Sequence, residues 1–185
     1  MILEKFRELK KTWNKDEVKS ISRRYFISNG FDGTLTAVGI TVGSYLSGVS
    51  TGTTVFKVAA GAAVGLATSG VWSVWEIEKA EKLAQLHDLE ENMLKELEGT
   101  EIHQIKKQGR VVNAVASGAG PVLGVLLTAS PFLLEGILLN MFQSTAASVL
   151  MAVGLLFGFG VYMADISEQN WLKAGLRMGL AGLVV

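Results

Sequence analysis

The feature that most constrains this chain is a single carboxylate inside an apolar, glycine-rich run. Residues 25–48, YFISNGFDGTLTAVGITVGSYLSG, are long enough to cross a bilayer and carry Asp32 within their first turns. A charged side chain at that depth costs a few kcal/mol, so Asp32 indicates a functional site, for example one that handles a cation. The alternative is structural: a carboxylate at the headgroup level that caps free N–H groups where the helix begins.

Charge is unevenly distributed along the 185 residues. Nearly all of it lies in 1–24, in 76–110 and after residue 164, and long uncharged runs separate these segments. Glycine favours the apolar runs, as is typical of closely packed transmembrane helices. The net charge of zero gives no indication of a nucleic-acid partner. The lack of cysteine excludes disulfides, thiolate metal sites and cysteine nucleophiles.

These patterns predict an all-α integral membrane protein with five transmembrane helices. We divide the chain into an N-terminal amphipathic helix at the cytoplasmic interface, transmembrane helices one and two, a cytoplasmic acidic helical insert that extends the second span, and transmembrane helices three to five. The corresponding ranges are 1–24, 25–75, 76–110 and 111–185. The last span, from about residue 170 to 185, is short for a crossing of about 20 residues, and whether it is complete stays open.

The distribution of lysine and arginine predicts the orientation. The N-terminal segment holds eight of these residues and 76–110 holds six, whereas Lys57 alone lies in the opposite connections. Because cytoplasmic loops are enriched in these residues, the N-terminus is expected in the cytoplasm. The short chain, with no cleavable signal peptide at its start, fits a prokaryotic plasma membrane.

Small and helix-breaking residues in the spans predict close helix packing. Gly61, Gly65 and Ser69 form a small-residue stripe that would let another helix approach. Pro121 lies inside the third span, where proline frees a backbone carbonyl that a neighbour or a polar cavity must satisfy. Asn113 and the methionines of the spans are assigned to no site, since such methionines usually fill packing gaps.

The insert offers further carboxylates. Glu78 with Glu81, and Asp88 with Glu91, are separated by three residues, a spacing that lets two carboxylates share a helix face and hold a divalent cation. Glu76 lies where the second span meets the cytoplasm, at a depth where a metal could pass toward the membrane path. On the residues alone, the alternative of a solvated helix face that carries charge for solubility is favoured over a metal site.

Two stretches of the first span resemble a known family. RRYF at 23–26 and NGFDGTLTAVG at 29–39 are similar to the first-span signature of the vacuolar iron transporter family (the CCC1-like proteins). SGAGP at 117–121 and SPF at 130–132 resemble the small-residue and proline pattern of its third span. Two features differ from the family pattern: the second span has no methionine, with Glu76 as an approximate counterpart of the family's glutamate, and the cytoplasmic insert is shorter.

The resemblance implies a homodimer that moves Fe²⁺, and often Mn²⁺, out of the cytoplasm in exchange for protons. It implies that Asp32 lines the path at the dimer interface and that glutamates of the cytoplasmic helices collect metal. Those positions correspond by spacing to Glu78, Glu81, Asp88 and Glu91. No cofactor is implied.

Our sequence-based hypothesis is therefore a metal transporter in which the acidic helices of two protomers pair and pass metal to the two copies of Asp32. The helices would pair through an apolar stripe made of Leu86, Leu89, Met93 and Leu97. The rival hypothesis is a membrane-bound metal sensor or scaffold that does not transport and whose acidic helix binds a partner protein. No constellation of catalytic residues is visible, so we do not expect an enzyme.

Overall fold

The computed structural model describes residues 16–93 and 101–184, without the side chains of 16–17, 86, 89–93, 101–107 and 184. These residues form five α-helices and one short 3₁₀ segment. The helices are α1 (Asp16–Leu46), α2 (Gly52–Met93), α3 (Glu101–Ala129), α4 (Met141–Ile166) and α5 (Trp171–Val184), and the 3₁₀ segment, Ser130–Leu134, follows α3. No β-strand occurs in the described ranges, and the predicted all-helical class is confirmed for them.

Among the described residues, three segments are long and apolar enough to cross a membrane: Gly52–Gln85, Gln108–Leu134 and Met141–Ile166. The 31-residue α1 is not among them, since Asn29, Asp32 and several threonines lower its hydropathy. The 14-residue α5 is shorter than the roughly 20 residues of a full crossing. Three spans are thus supported by length and composition, and the remaining two stay predictions.

Several helix boundaries differ from the predicted ones. Residues 16–24 are continuous with α1, and residues 102–110, assigned above to the cytoplasmic insert, belong to α3. The fourth span begins at Met141, because a turn with Gly136 in the left-handed region (φ +81°) occupies the residues before it. Asn140 and Gln143 then form a capping box that fixes the start of α4. Residues 1–15 lie outside the description.

The helices form a cluster of three, α1 to α3, and a pair, α4 and α5, which joins the cluster mainly through contacts of α4 with α1. α3 is the centre of the bundle, since 61% of its most apolar window is buried against 17% for α2 and 22% for α4. The exposed surface of α4 is apolar, as expected for a lipid-facing helix. Small residues fill the core between α1, α2 and α3: Ala37, Ala59, Ala63, Val125 and Ala129.

α1 and α3 run parallel and approach each other closely around Pro121. A Cβ added to Gly33 would lie 2.6 Å from the Cα of Pro121, so only glycine permits this approach. Pro121 has no N–H and leaves the carbonyl of Ser117, four residues earlier, without its helical donor. The amide of Asn29 donates to that carbonyl at 3.4 Å and also to the Ser117 hydroxyl. The expectation that a neighbour satisfies the carbonyl freed by Pro121 is confirmed.

The Ser117 hydroxyl also connects the cluster to α2. It accepts the Asn29 amide and donates to the carbonyl of Gly70 at 2.9 Å. One buried serine therefore holds three helices at one level. α2 runs antiparallel to the other two helices, because Gly70 meets Ser117 whereas Lys82 lies beside Gly109.

This arrangement predicts an energetic coupling between Asn29 and Pro121. Asn29→Ala should lower the free energy of unfolding by about 1–3 kcal/mol, because it leaves the Ser117 carbonyl buried without a donor. In a Pro121→Ala background, Asn29→Ala should lower the free energy of unfolding by less, since the N–H of residue 121 then donates to the Ser117 carbonyl. Unfolding of the four proteins in mixed detergent micelles measures the coupling. Equal costs of Asn29→Ala in both backgrounds would contradict the assignment.

Candidate functional site

Asp32 lies on the side of α1 that faces away from the rest of the bundle. Its neighbours Gly30, Gly33 and Thr34 are buried against α3, whereas Asp32 itself is exposed. The Asp32 carbonyl accepts a hydrogen bond from the Thr36 hydroxyl at 2.8 Å. Within the described residues no salt bridge involves its carboxylate. The first-span motif, residues 29–39, therefore contributes to two faces of α1. One face packs against α3, and the other carries the exposed Asp32 carboxylate.

Exposed glycines occur on both α1 and α2. Gly39 and Gly43 follow Asp32 on the exposed side of α1, and a Cβ at either position would meet nothing within 4 Å. The same holds for Gly61 and Gly65 of the predicted α2 stripe, in which Ser69 is also exposed. These glycines do not pack against any other described helix of the same protomer. They leave α1 and α2 open to close approach by another helix.

The predicted metal ligands of α2 are not gathered into one cluster. Glu76, Glu81 and Asp88 are exposed, and the side chain of Glu91 lies outside the description, as does the apolar stripe predicted to pair two copies. Glu78 is buried, although the sequence placed it on one face with Glu81. In the part of the chain that is described, no group of three or more His, Asp or Glu side chains could hold a metal ion.

Among the predicted ligands whose side chains are described, only Glu78 is buried. Its side chain is 2% exposed, and Oε2 lies 3.4 Å from the ammonium nitrogen of Lys82 one turn later. Oε2 makes no hydrogen bond within the described structure, so the ion pair is its main compensation. Glu78 is also close enough to Tyr25 of α1 to act on its hydroxyl electrostatically. The carboxylate therefore faces the interior of the three-helix cluster.

A second unsatisfied polar group comes from α3. Asn113 is fully buried, and neither its amide nitrogen nor its oxygen has a hydrogen-bond partner among the described residues. It lies one turn after Gly109, which contacts Lys82, and one turn before Ser117, which binds Gly70. Because α2 and α3 are antiparallel, this register places Asn113 opposite the part of α2 between Gly70 and Lys82, which contains Glu78.

Glu78 and Asn113 are here called the buried polar layer. Arg110 precedes Asn113 by three residues, and Trp75 precedes Glu78 by three residues. The Arg110 guanidinium carbon lies 4.1 Å from the centre of the Trp75 ring, a cation–π contact that compensates part of the burial of the charge. The Arg110 Nε is buried without a hydrogen-bond partner in the described ranges. Sequence reasoning assigned no role to Asn113. Its four-residue spacing from Ser117 within an apolar span was the signal that could have indicated a polar face of α3.

Comparison with known proteins found similar sequences. The sequence model of the VIT family matches residues 72–185, which include all the α2 carboxylates considered above and exclude Asp32. An uncharacterised protein of Methanocaldococcus jannaschii is 24% identical over 165 residues, which cover 88% of this chain and 83% of that protein. No solved structure matches.

The family match covers more than half of the chain and includes α3, α4, α5 and the last part of α2. It confirms the resemblance that the first-span and third-span motifs suggested. The three long apolar helices agree with a protein that passes through the membrane several times. The chain belongs to the VIT family, a family of membrane transporters of metal ions and not of enzymes.

Proposed function

We propose that this protein moves a divalent transition-metal ion, Fe²⁺ and also Mn²⁺, out of the cytoplasm as a homodimer whose path runs between the two α1 helices. The observation that carries the proposal is the position of Asp32, which is exposed on α1 and turned away from its own bundle. The N-terminus is cytoplasmic in this proposal, and the membrane is a prokaryotic plasma membrane.

The exposed carboxylate supports a dimer. Exposure of the charged Asp32 side chain to acyl chains would cost a few kcal/mol of free energy. Charged residues in transmembrane helices therefore usually face a protein interior or a water-filled cavity. A second copy packed on Gly39 and Gly43 of α1 and on Gly61 and Gly65 of α2 would enclose Asp32 and its symmetry mate. In a two-fold interface the same surface of each protomer is used, so two carboxylates meet. Two carboxylates supply oxygen ligands suited to a divalent cation such as Mn²⁺.

The approach to this path begins on α2. The exposed side chains of Glu76, Glu81 and Asp88 attract cations at the cytoplasmic side. Glu78 and Asn113 then provide buried oxygen donors, with Lys82 neutralising the Glu78 carboxylate when no metal is bound. Tyr25, which is near Glu78, precedes Asp32 by two helical turns, a rise of about 10 Å. A metal ion would therefore travel a short distance between the two levels.

Coupling to protons follows from the chemistry of the ligands. Carboxylates must be deprotonated to bind a metal, and metal binding releases protons. Carboxylates that alternate between a metal-bound and a protonated form exchange one metal ion for protons across the membrane. The rival function, a metal sensor or scaffold, requires no flux and no role of Asp32, which lies in the middle of α1 and so cannot cap its first turn.

Replacement of Asp32 tests transport directly. Asp32→Asn should lower the flux of Fe²⁺ or Mn²⁺ into proteoliposomes by about ten-fold or more, because it removes a charged ligand at the same size. A pH probe inside the vesicles should report alkalinisation as metal enters, and this signal should also be lost. Asp165→Asn removes an exposed carboxylate at the end of α4 and should leave flux unchanged. Flux of Asp32→Asn equal to wild type would rule out the proposed path.

Replacement of Asn113 should separate stability from transport. Asn113→Leu keeps the branching and the number of side-chain atoms and removes two buried, unpaired polar atoms, so the free energy of unfolding should rise by about 1–3 kcal/mol. Metal flux should fall, since an oxygen donor of the layer is lost. Ser117→Ala is the contrasting variant, because its hydroxyl is fully bonded and its loss should lower stability. An Asn113→Leu protein with wild-type flux would exclude Asn113 from the path.

A further inference from the structure

A groove opens between α1, α3 and the last turns of α4, away from Asp32. Its volume is about 510 Å³. Its walls are almost entirely apolar and include Phe26, Val115 and Ala119, and the 61% exposure of Val115 shows that the groove is open to the surroundings. Ser22 also lines it, but the Ser22 hydroxyl donates to the Lys19 carbonyl at 3.3 Å. The groove, whose apolar part is here called the trough, therefore exposes an apolar surface to the membrane.

Cationic and phenolic groups surround one end of the trough. Lys19 and Arg23 are four residues apart on α1, so their side chains lie on one face of the helix, and Tyr162 of α4 lines the groove with them. Among the described side chains, none of the carboxylates lines the groove, and none forms a salt bridge with Lys19 or Arg23. Two positive charges and a hydroxyl are thus available to an anionic group.

The position of these groups relative to the apolar walls matches a phospholipid. Lys19 and Arg23 lie at the end of α1 nearest the N-terminus, which is the cytoplasmic end in the orientation proposed above. Phe26 and Ala119 lie deeper along their helices, toward the level of Gly33 and Pro121. Basic pockets between helices at the cytoplasmic side are suited to anionic lipid headgroups.

We propose that this groove binds an anionic phospholipid of the cytoplasmic leaflet. Lys19 and Arg23 hold the phosphate, the Tyr162 hydroxyl donates to it, and one acyl chain lies against Phe26, Val115 and Ala119. The lipid contacts both the three-helix cluster and α4, so its binding stabilises the packing of α4 on α1. This role is independent of whether the bundle carries metal.

The chain contains a matched control for the charges. Lys173 and Arg177 are also a lysine and an arginine four residues apart, on α5, and they line a smaller groove of about 370 Å³ with the polar residues Gln169 and Asn170. That groove has the same two charges without a comparable apolar wall. If lipid binding arose only from general attraction of anionic lipid to positive charge, removal of either pair would weaken it equally. If the lipid binds in the groove described above, its binding depends on Lys19 and Arg23.

Native mass spectrometry of the full chain, released from detergent with added phosphatidylglycerol or phosphatidylcholine, tests the proposal. Wild type should retain phosphatidylglycerol in preference to phosphatidylcholine. The double variant Lys19→Gln/Arg23→Gln should weaken retention about 25-fold, at roughly five-fold for each cation. Lys173→Gln/Arg177→Gln should retain the lipid as wild type does. Equal weakening in both double variants, or in neither, would overturn the proposal.

Two further measurements address the wall and the source of the phosphate. Ala119→Phe fills the trough and leaves the charges in place, so it should also reduce retention and abolish the thermal stabilisation by phosphatidylglycerol. Retention by Ala119→Phe equal to wild type would contradict a seated acyl chain. Glycerol 3-phosphate at millimolar concentration should not displace the lipid, and displacement would indicate a site for a soluble phosphate. Failure of wild type to retain any lipid would also overturn the proposal.

Discussion

The contact between α1 and α3 at Pro121 determines how the rest of the bundle is arranged. Proline removes one N–H from the central helix, and the Asn29 amide supplies a donor to the Ser117 carbonyl. The absence of a side chain at Gly33 allows Pro121 to approach the α1 backbone. Asn29 and Gly33 therefore fix the rotation of α1 about its own axis. Because Asp32 lies between them in the sequence, that rotation turns its carboxylate out of the protomer.

Two kinds of polar group in the bundle follow from this arrangement. The polar bridge from Asn29 through Ser117 to Gly70 is satisfied and holds three helices together. Glu78 and Asn113 lie closer to the N-terminal end of α1 and are buried with unpaired polar atoms. Unpaired buried polar atoms reduce the stability of a fold, and proteins retain them where a function requires them. The outward carboxylate and the unsatisfied layer together favour a route for a cation that begins inside one protomer's cytoplasmic end and continues between two protomers.

Sequence reasoning predicted the features that depend on local chemistry. The carbonyl freed by Pro121 had to be satisfied by a neighbour or a polar cavity, and the Asn29 amide satisfies it. The charge pattern predicted the apolar spans of α2, α3 and α4. It could not predict which side of α2 faces α3, because Glu78 and Glu81 are only three residues apart and either could point inward. For the same reason Asn113 was assigned to no site, and the Gly61 and Gly65 stripe had no assigned neighbour. These choices depend on tertiary register, which a single helix pattern does not contain.

The central claim is that the face of α1 that carries Asp32 meets the same face of a second copy. Since the 185 residues contain no cysteine, a single cysteine at Gly39 can be tested in cell membranes with a short bis-maleimide reagent. Gly154→Cys on α4 is the matched control, because it too is an exposed helical glycine with nothing within 4 Å. The account predicts a cross-linked dimer for Gly39→Cys and monomer for Gly154→Cys. Monomer for Gly39→Cys, or dimer for Gly154→Cys alone, would contradict it.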